Sequence, residues 1–344
     1  MDRRHFIQYG LAGSLAASAA SAQAQGAAPA RAPRILMITF RGETDVERGF
    51  KAYLASAGVT PEILARDAKR DAANVAGILQ EAVEFKPDLI YTWGTPVTLA
   101  VVGTHDAPKV HALSSVPVVF SLVAAPVQSR IVPTLSGHGR NLTGAVHVVP
   151  TDVHLRAMQS YRPFTKVGVL YTASEQNSKA IVAEMRTWGQ RTGVQVIERT
   201  FAQDSNGRPV VDGAEELVAG IRQAGAQWLY LLPDTFLGSV YNRVAPAALA
   251  QKLPTFGAAE LAVRSGGALV GLVSRYHSIG QLAAAKAVDI LVRAKPAASL
   301  PVETLKRFSL IVNMTVARSL GAYPPIEMLN YAEVINPAAG QPAS

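Results

Sequence analysis

VPVVFSLVAAPVQSRIVPTLSGHGRNLTGAVHVV, residues 116–149, is the stretch that decides how the whole chain is read. An apolar run over 116–123 stops at a small-residue turn ending in Pro126. A second run, 142–149, begins after the Gly- and Asn-containing segment 137–141. Strand-like and helix-like segments alternate before this stretch, and the same alternation restarts after it. The stretch reads as the hand-over between two similar α/β lobes with a ligand cleft between them.

Working back from it, residues 34–40 (RILMITF) form a short apolar run bounded by Pro33 and Arg41-Gly42, the pattern of a buried parallel strand. Residues 44–57 place Val46, Phe50, Tyr53 and Leu54 at helical spacing, and Gly58 closes the helix. A strand over 60–66, a helix over 74–85, a strand over 88–93 and a helix over 95–103, with Pro96 in its first turn, complete the upstream half. Downstream come a helix over 151–161 with Thr151 as its cap, strands over 167–171, 195–201, 228–232 and 255–258, and helices over 175–192, 214–224 and 238–252. This order predicts doubly wound parallel sheets with helices on both faces, and ligands bind such sheets beyond the carboxyl ends of the strands. The last part breaks the two-halves pattern: a strand over 268–274, an amphipathic helix over 278–294, a Pro-rich connection, a strand over 309–313 and a short helix over 316–320.

Composition bounds the function. The 344 residues are 49% hydrophobic and 17% charged, enough apolar material for two cores. The formal charge is +8, but Lys and Arg are scattered, with Lys69–Arg70 and Lys306–Arg307 the only adjacent pairs after Arg3–Arg4. No aromatic residues interleave with them, so nucleic acid is not an expected partner. The absence of cysteine excludes disulfides, thiolate metal sites and Cys nucleophiles. Residues 1–24 carry Arg3-Arg4, Phe6, an Ala-rich weakly apolar run and the small-x-small site Ala22-Gln23-Ala24. They read as an export signal of the twin-arginine type, cleaved near Ala24 to leave a periplasmic protein. Residues 25–33 are a linker and 336–344 a flexible tail, and no later segment is long and apolar enough to cross a membrane.

No G-x-S-x-G elbow, P-loop or H-E-x-x-H motif is present, and Gly137-His138-Gly139 lacks the strand and helix context of a dinucleotide site. His147, Asp152 and His154 straddle an expected strand-to-helix boundary and have no second His–carboxylate pair, so they read as surface or core residues rather than metal ligands. No catalytic residue, metal or cofactor is assigned.

At this point the residues carry a resemblance. KPDLIYTWGTPVTLA (86–100), VPVVFSLVAAPVQS (116–129), RNLTGA (140–145), KVGVLYTASEQNS (166–178), WLYLLPDT (228–235), LPTFGAAE (253–260), GLVSRYHSIGQLAAAKAVDIL (271–291) and LPVETLKRFSLIVNMTVARSLG (300–321) run in order over nearly all of the chain beyond the export signal. As a set they resemble the ABC-transporter substrate-binding proteins of the kind that includes tryptophan/tyrosine-binding members. The resemblance implies a periplasmic-binding-protein type I fold: two lobes joined by three hinge crossings, near 145–150, 274–277 and 300–306, closing over a small molecule. It assigns 34–145 plus 277–300 to lobe 1 and 146–276 plus 301–335 to lobe 2. It implies a monomer that hands its ligand to an inner-membrane ABC permease. A membrane sensor kinase is the alternative partner, and a secreted hydrolase or lyase acting on a small acid is the alternative activity. A DNA-binding regulator of the same ligand fold is disfavoured by the export signal.

The strand ends supply the candidate ligand contacts: Phe40, Arg41, Gly94, Thr95, Ser121 and Ala124 in the first lobe, Thr172, Ser174, Asp234, Thr235 and Glu260 in the second, and Arg275 and Tyr276 at the second crossing. Backbone N–H groups at Thr95 suit an anion, against a plain capping role. Asp234 is open between ligand contact and helix capping. The resembled family often has Asp where this chain has Ala125 and Arg275. Their replacement points to a carboxylate-bearing or otherwise anionic ligand, with Phe40, Trp93, Phe236 and Tyr276 offering an aromatic surface.

Overall fold

The computed structural model describes residues 31–337. The expected export signal, most of the linker and the end of the tail lie outside them. In the first lobe β1 (Arg34–Thr39), α1 (Asp45–Ser56), β2 (Glu62–Asp67), α2 (Val75–Glu81), β3 (Leu89–Trp93) and α3 (Gly94–Val102) follow in order. A small hairpin, β4 (Gly103–Thr104) with β5 (Ala107–Pro108), precedes β6 (Val118–Val123) and β7 (Leu142–Val146). The second lobe begins with α4 (Thr151–Tyr161), β8 (Lys166–Tyr171), α5 (Gln176–Thr192), β9 (Gln195–Thr200), α6 (Ala214–Gln223) and β10 (Trp228–Leu231). It continues through α7 (Tyr241–Ala250), β11 (Thr255–Gly257), α8 (Glu260–Arg264) and β12 (Val270–Val273). The chain then visits both lobes again through α9 (Tyr276–Leu291), β13 (Glu303–Thr304), β14 (Ser309–Asn313), α10 (Met314–Leu320), α11 (Ile326–Leu329) and β15 (Glu333–Ile335).

Two sheets result, ordered β13-β7-β6-β3-β1-β2 and β15-β14-β12-β11-β10-β8-β9. β1, β3 and β6 are buried on both faces, apart from the half-buried Arg34, and their apolar runs reflect that. The doubly wound α/β architecture expected from the strand–helix alternation is present. The first sheet is parallel throughout. In the second, β14 runs antiparallel to β12, which the expectation of purely parallel sheets missed. The cause is the chain path. β12 leaves toward the first lobe at its carboxyl end and β14 re-enters from that same side, so the two neighbours point in opposite directions.

β13 is a second departure, because it pairs with β7 in the first sheet, whereas residues from 301 onward were expected in the second lobe. The buried Lys286 on α9 holds it there, donating to the Pro301 carbonyl at 2.7 Å and to Glu303 at 2.6 Å, and Thr143 donates to the same carbonyl at 2.9 Å. Thr151 is the first residue of α4 and not its cap; Pro150 takes that place and the Thr151 hydroxyl donates to Glu184 at 2.6 Å. The expected helix over 238–252 is a 3-10 turn, Leu237–Ser239, followed by α7. Short elements α8, α11 and β15 carry too few residues to show a period in the sequence.

The segment that opened the reading is stapled at its base. Arg140 donates to the carbonyls of Val102 (2.6 Å), Gly103 (3.1 Å) and Ile131 (2.5 Å), tying the end of α3 to the loop after β6. α9 is fastened to the first lobe by close backbone contact with α1. A Cβ at Gly49 would collide with the His277 carbonyl, and one at Gly280 with the Val46 carbonyl. We expect Gly280→Ala to cost about 1–3 kcal/mol through overpacking, lowering the thermal midpoint by several degrees. Calorimetry showing an unchanged midpoint would contradict this account of how α9 is held.

Candidate functional site

The carboxyl ends of the two sheets face one another across a small cavity of about 30 Å³. It adjoins a larger cleft of about 760 Å³. Thr95 and Asn177 line both. At the cleft mouth Arg208 of the second lobe meets Asp71 of the first at 3.0 Å, an exposed pair worth at most about 1 kcal/mol.

Arg41 dominates the small cavity. It follows β1, where Gly42 at φ 80° turns the chain, and its guanidinium lies 4.8 Å from the centroid of the Trp93 ring. Trp93 is itself stacked on Phe40 at 6.1 Å and 10°. The side chain is half-buried, but Nη1 is shut off from solvent and has no hydrogen-bond partner. Among the described residues no carboxylate pairs with it. Burial holds its pKa below the usual arginine value. The second lobe comes close to this group through Gly238, where a Cβ would stand 3.1 Å from Arg41 Nη1.

Other buried polar atoms without partners belong to residues lining the same cavity: Trp93 Nε1, Thr95 Oγ1, His147 Nδ1 and Asn177 Oδ1. Ser121 Oγ and Ser274 Oγ, beside the first and second crossings, are likewise unpartnered. Buried polar groups are nearly always satisfied, so a cluster at one spot marks surface built to meet a polar guest. Gly94, at φ 79°, makes the turn from β3 into α3, and α3 has no side-chain cap, so its first N–H groups remain open. Leu122 at φ 54° sits at a bulge in β6 and lines the cavity, a strained backbone position of the kind found where binding surfaces are shaped.

The acidic groups are otherwise engaged. Asp234 accepts from Thr172 N (2.7 Å), Thr172 Oγ1 (2.9 Å), Ser178 Oγ (2.7 Å) and Leu237 N (2.8 Å). It is a clamp between the ends of β8 and β10 as well as a cap for the Leu237–Ser239 turn. Burial raises its pKa while those donors oppose the shift. Glu175 accepts from the backbone of Thr235 (3.0 Å) and Phe236 (3.1 Å); burial and the Asp234 charge push it up to about 8.

Of the sequence candidates, Arg41, Thr95, Ala124, Asp234, Thr235 and Tyr276 line the small cavity. Phe40, Thr172 and Ser174 line the adjoining cleft. Ser121 is buried at the end of β6, and Ala125 lies in the turn beyond without lining either space. Glu260 and Arg275 are placed elsewhere, in a network on the far side of Tyr276. Arg275 donates to Ser309 at 3.0 Å, to Glu260 at 3.1 Å and to Glu333, and Arg264 pairs with both acids. Glu260 also accepts from the Tyr276 backbone at 2.5 Å. The inference that Arg275 supplies the cleft with positive charge is therefore corrected: two carboxylates neutralise it, and the arginine that lines the small cavity without a carboxylate partner is Arg41. His147, Asn177 and Tyr241 also line the cavity and were passed over. Their only sequence signal is position, His147 at the first crossing and Asn177 just beyond a strand end. Asp152 pairs with the exposed Arg156 at 2.6 Å, and no group of metal-ligating side chains occurs among the described residues.

Two lobes with a cavity of unpartnered polar groups between their strand ends have the form of a ligand-binding protein. The chain belongs to the ABC transporter substrate binding protein family, whose pattern it matches over residues 36–335. It is similar to a tyrosine-binding protein of Clostridioides difficile, 27% identical over 256 residues that cover 74% of this chain and 69% of that one. A conserved domain protein of Vibrio cholerae has the same fold, with TM-score 0.78 at 24% identity, covering 89% of this chain and 100% of the other. So does an ABC domain from Streptococcus pneumonia crystallised with L-Trp, with TM-score 0.74 at 22% identity over 88% and 100%. Members of this family bind their substrates rather than transform them and work outside the cytoplasm. No helix among the described residues is long and apolar enough to cross a membrane.

Removing the Asp234 carboxylate strands two buried backbone N–H groups. Asp234→Ala should cost roughly 3 kcal/mol, read as a lower urea midpoint at unchanged m-value. Acid sensitivity should come from two buried histidines. His154 bonds Tyr230 Oη and the Leu272 carbonyl, each at 2.8 Å, and burial lowers it to about 4; His147 is lowered to about 3 by burial. Both folded values lie below the ordinary 6.5, so this stability is whole above pH 6.5 and is lost as pH falls toward 4 for His154 and toward 3 for His147. Each contributes a slope of up to about 1.4 kcal/mol per pH unit, which His154→Gln should remove for its own share.

Proposed function

We propose that this chain is the extracytoplasmic receptor of an ABC importer for a small carboxylic acid with an apolar or aromatic body. The observation that carries the reading is the half-buried Arg41, stacked on Trp93, with Nη1 unpartnered at the inner end of the cleft. A desolvated guanidinium without a counter-charge is costly, and a ligand carboxylate would remove that cost. The small cavity of about 30 Å³ suits a group of carboxylate size, a water needing roughly 10–15 Å³ by the same measure. The adjoining cleft offers Phe40, Pro96, Leu99, Phe236 and Val240 to the rest of the molecule. The aromatic amino acids bound by the two relatives named for them have this shape, a carboxylate on a flat apolar body.

The lobes open at the three crossings to admit the ligand and close over it, and the closed form, acting as a monomer, delivers the ligand to an inner-membrane permease. The twin arginine and the small-x-small site before residue 25 support export to the periplasm with cleavage near Ala24.

Titration calorimetry against a panel of aromatic and aliphatic carboxylic acids tests this. Arg41→Met should weaken the best acid by roughly ten- to a hundredfold, the worth of charge-assisted hydrogen bonds, while leaving the melting profile of the free protein intact or improved. Undiminished affinity in that variant would overturn the assignment.

A further inference from the structure

The same cavity holds two acceptors that a bare carboxylate cannot use. Asn177 is buried, and its amide nitrogen donates to the Pro233 carbonyl at 3.0 Å and faces Glu175 Oε2 at 3.3 Å. The Pro233 carbonyl can only accept, which fixes the amide's orientation and leaves Oδ1 as the unpartnered atom. His147 is also buried, and its Nδ1 has no partner. Burial keeps the ring neutral, a form in which one nitrogen donates and the other accepts, so the unpartnered Nδ1 can offer its lone pair to a donor. The cavity thus offers donors at Arg41 and Trp93, and neutral acceptors at His147 and Asn177, all four belonging to residues that line it.

We propose that His147 and Asn177 select a carboxylic acid carrying a neutral hydrogen-bond donor, a hydroxy acid, over the corresponding amino acid. This rests on the reading of Arg41 as the carboxylate site. A hydroxyl beside the carboxylate satisfies one of the two acceptors. An unsubstituted acid leaves both buried and unpaired, and an ammonium group meets no free anion. Asp234, which lines the cavity, already accepts four hydrogen bonds. Glu260 is occupied by Arg264, Arg275 and the Tyr276 backbone. Glu175 is held by backbone donors, and burial favours its neutral form. An ammonium would also share the cavity with the Arg41 guanidinium. The chain therefore differs in ligand class from relatives that take aromatic amino acids, and the difference lies in charge compensation rather than cavity shape.

Three matched probes separate the possibilities: 3-phenyllactate, phenylalanine and 3-phenylpropionate, titrated calorimetrically into the wild-type protein. The expected order is phenyllactate tightest, with each of the others at least about tenfold weaker. His147→Phe should narrow the preference for phenyllactate over phenylpropionate. Phenylalanine binding as well as or better than phenyllactate overturns the selection proposed here while leaving Arg41 as the carboxylate site. Equal binding of phenyllactate and phenylpropionate also overturns it. Failure of all three acids to bind overturns the Arg41 reading and this inference together. The wild-type comparison decides the matter even if the His147 variant does not fold.

Discussion

An arginine side chain with a buried, unpartnered nitrogen is the constraint around which this structure is arranged. The Arg41 guanidinium rests on Trp93, and Trp93 rests on Phe40, so a stack rooted in the core of the first lobe fixes where the charge stands. Cation–π attraction of roughly 1–2 kcal/mol helps to hold it but does not replace a counter-ion. Across the cleft the second lobe meets it with a glycine rather than a carboxylate. Every nearby acid is spent elsewhere, Asp234 on joining two strand ends and Glu260 on the network beside Tyr276. The protein keeps its own negative charge away from a cation whose position it controls closely.

The hinge follows a similar logic. The three crossings leave neither lobe continuous in sequence, so each lobe needs a device to hold the segment that returns to it. In the first lobe these are the glycine contacts between α1 and α9 and the Lys286 bonds to the third crossing. At the second crossing, Arg275 joins Glu260, Glu333 and Ser309. Because Tyr276 and His147 stand at crossings and also border the cavity, their ring centroids 6.3 Å apart, hinge geometry and ligand geometry are set by neighbouring residues.

Much of the fold was legible from the chain alone because its strands announce themselves. Buried parallel strands are unbroken apolar runs, and RILMITF and WLYLL leave little choice of period. The return of the chain to each lobe was visible only as extra elements and became interpretable through a resemblance. The antiparallel β14 and the two-residue β13 were not legible, since direction and edge pairing depend on where the chain re-enters and not on local pattern. Strand-end position pointed to Arg41 and Thr95, and the second crossing to Tyr276, all of which line the small cavity. It failed for Arg275, where charge was visible in the sequence and its two acidic partners, at positions 260 and 333, were not. It missed His147 and Asn177 because an unpartnered atom is a property of three-dimensional surroundings.

The central claim is that Arg41 receives the ligand's carboxylate, and a crystal structure of the protein with the acid it binds most tightly tests this most directly. The account predicts a carboxylate oxygen within hydrogen-bond distance of Arg41 Nη1 and near the Thr95 hydroxyl, with the body of the ligand in the cleft beside Phe40 and Phe236. A ligand bound with its carboxylate away from Arg41, or an Arg41 paired to a protein carboxylate in the loaded state, would contradict it.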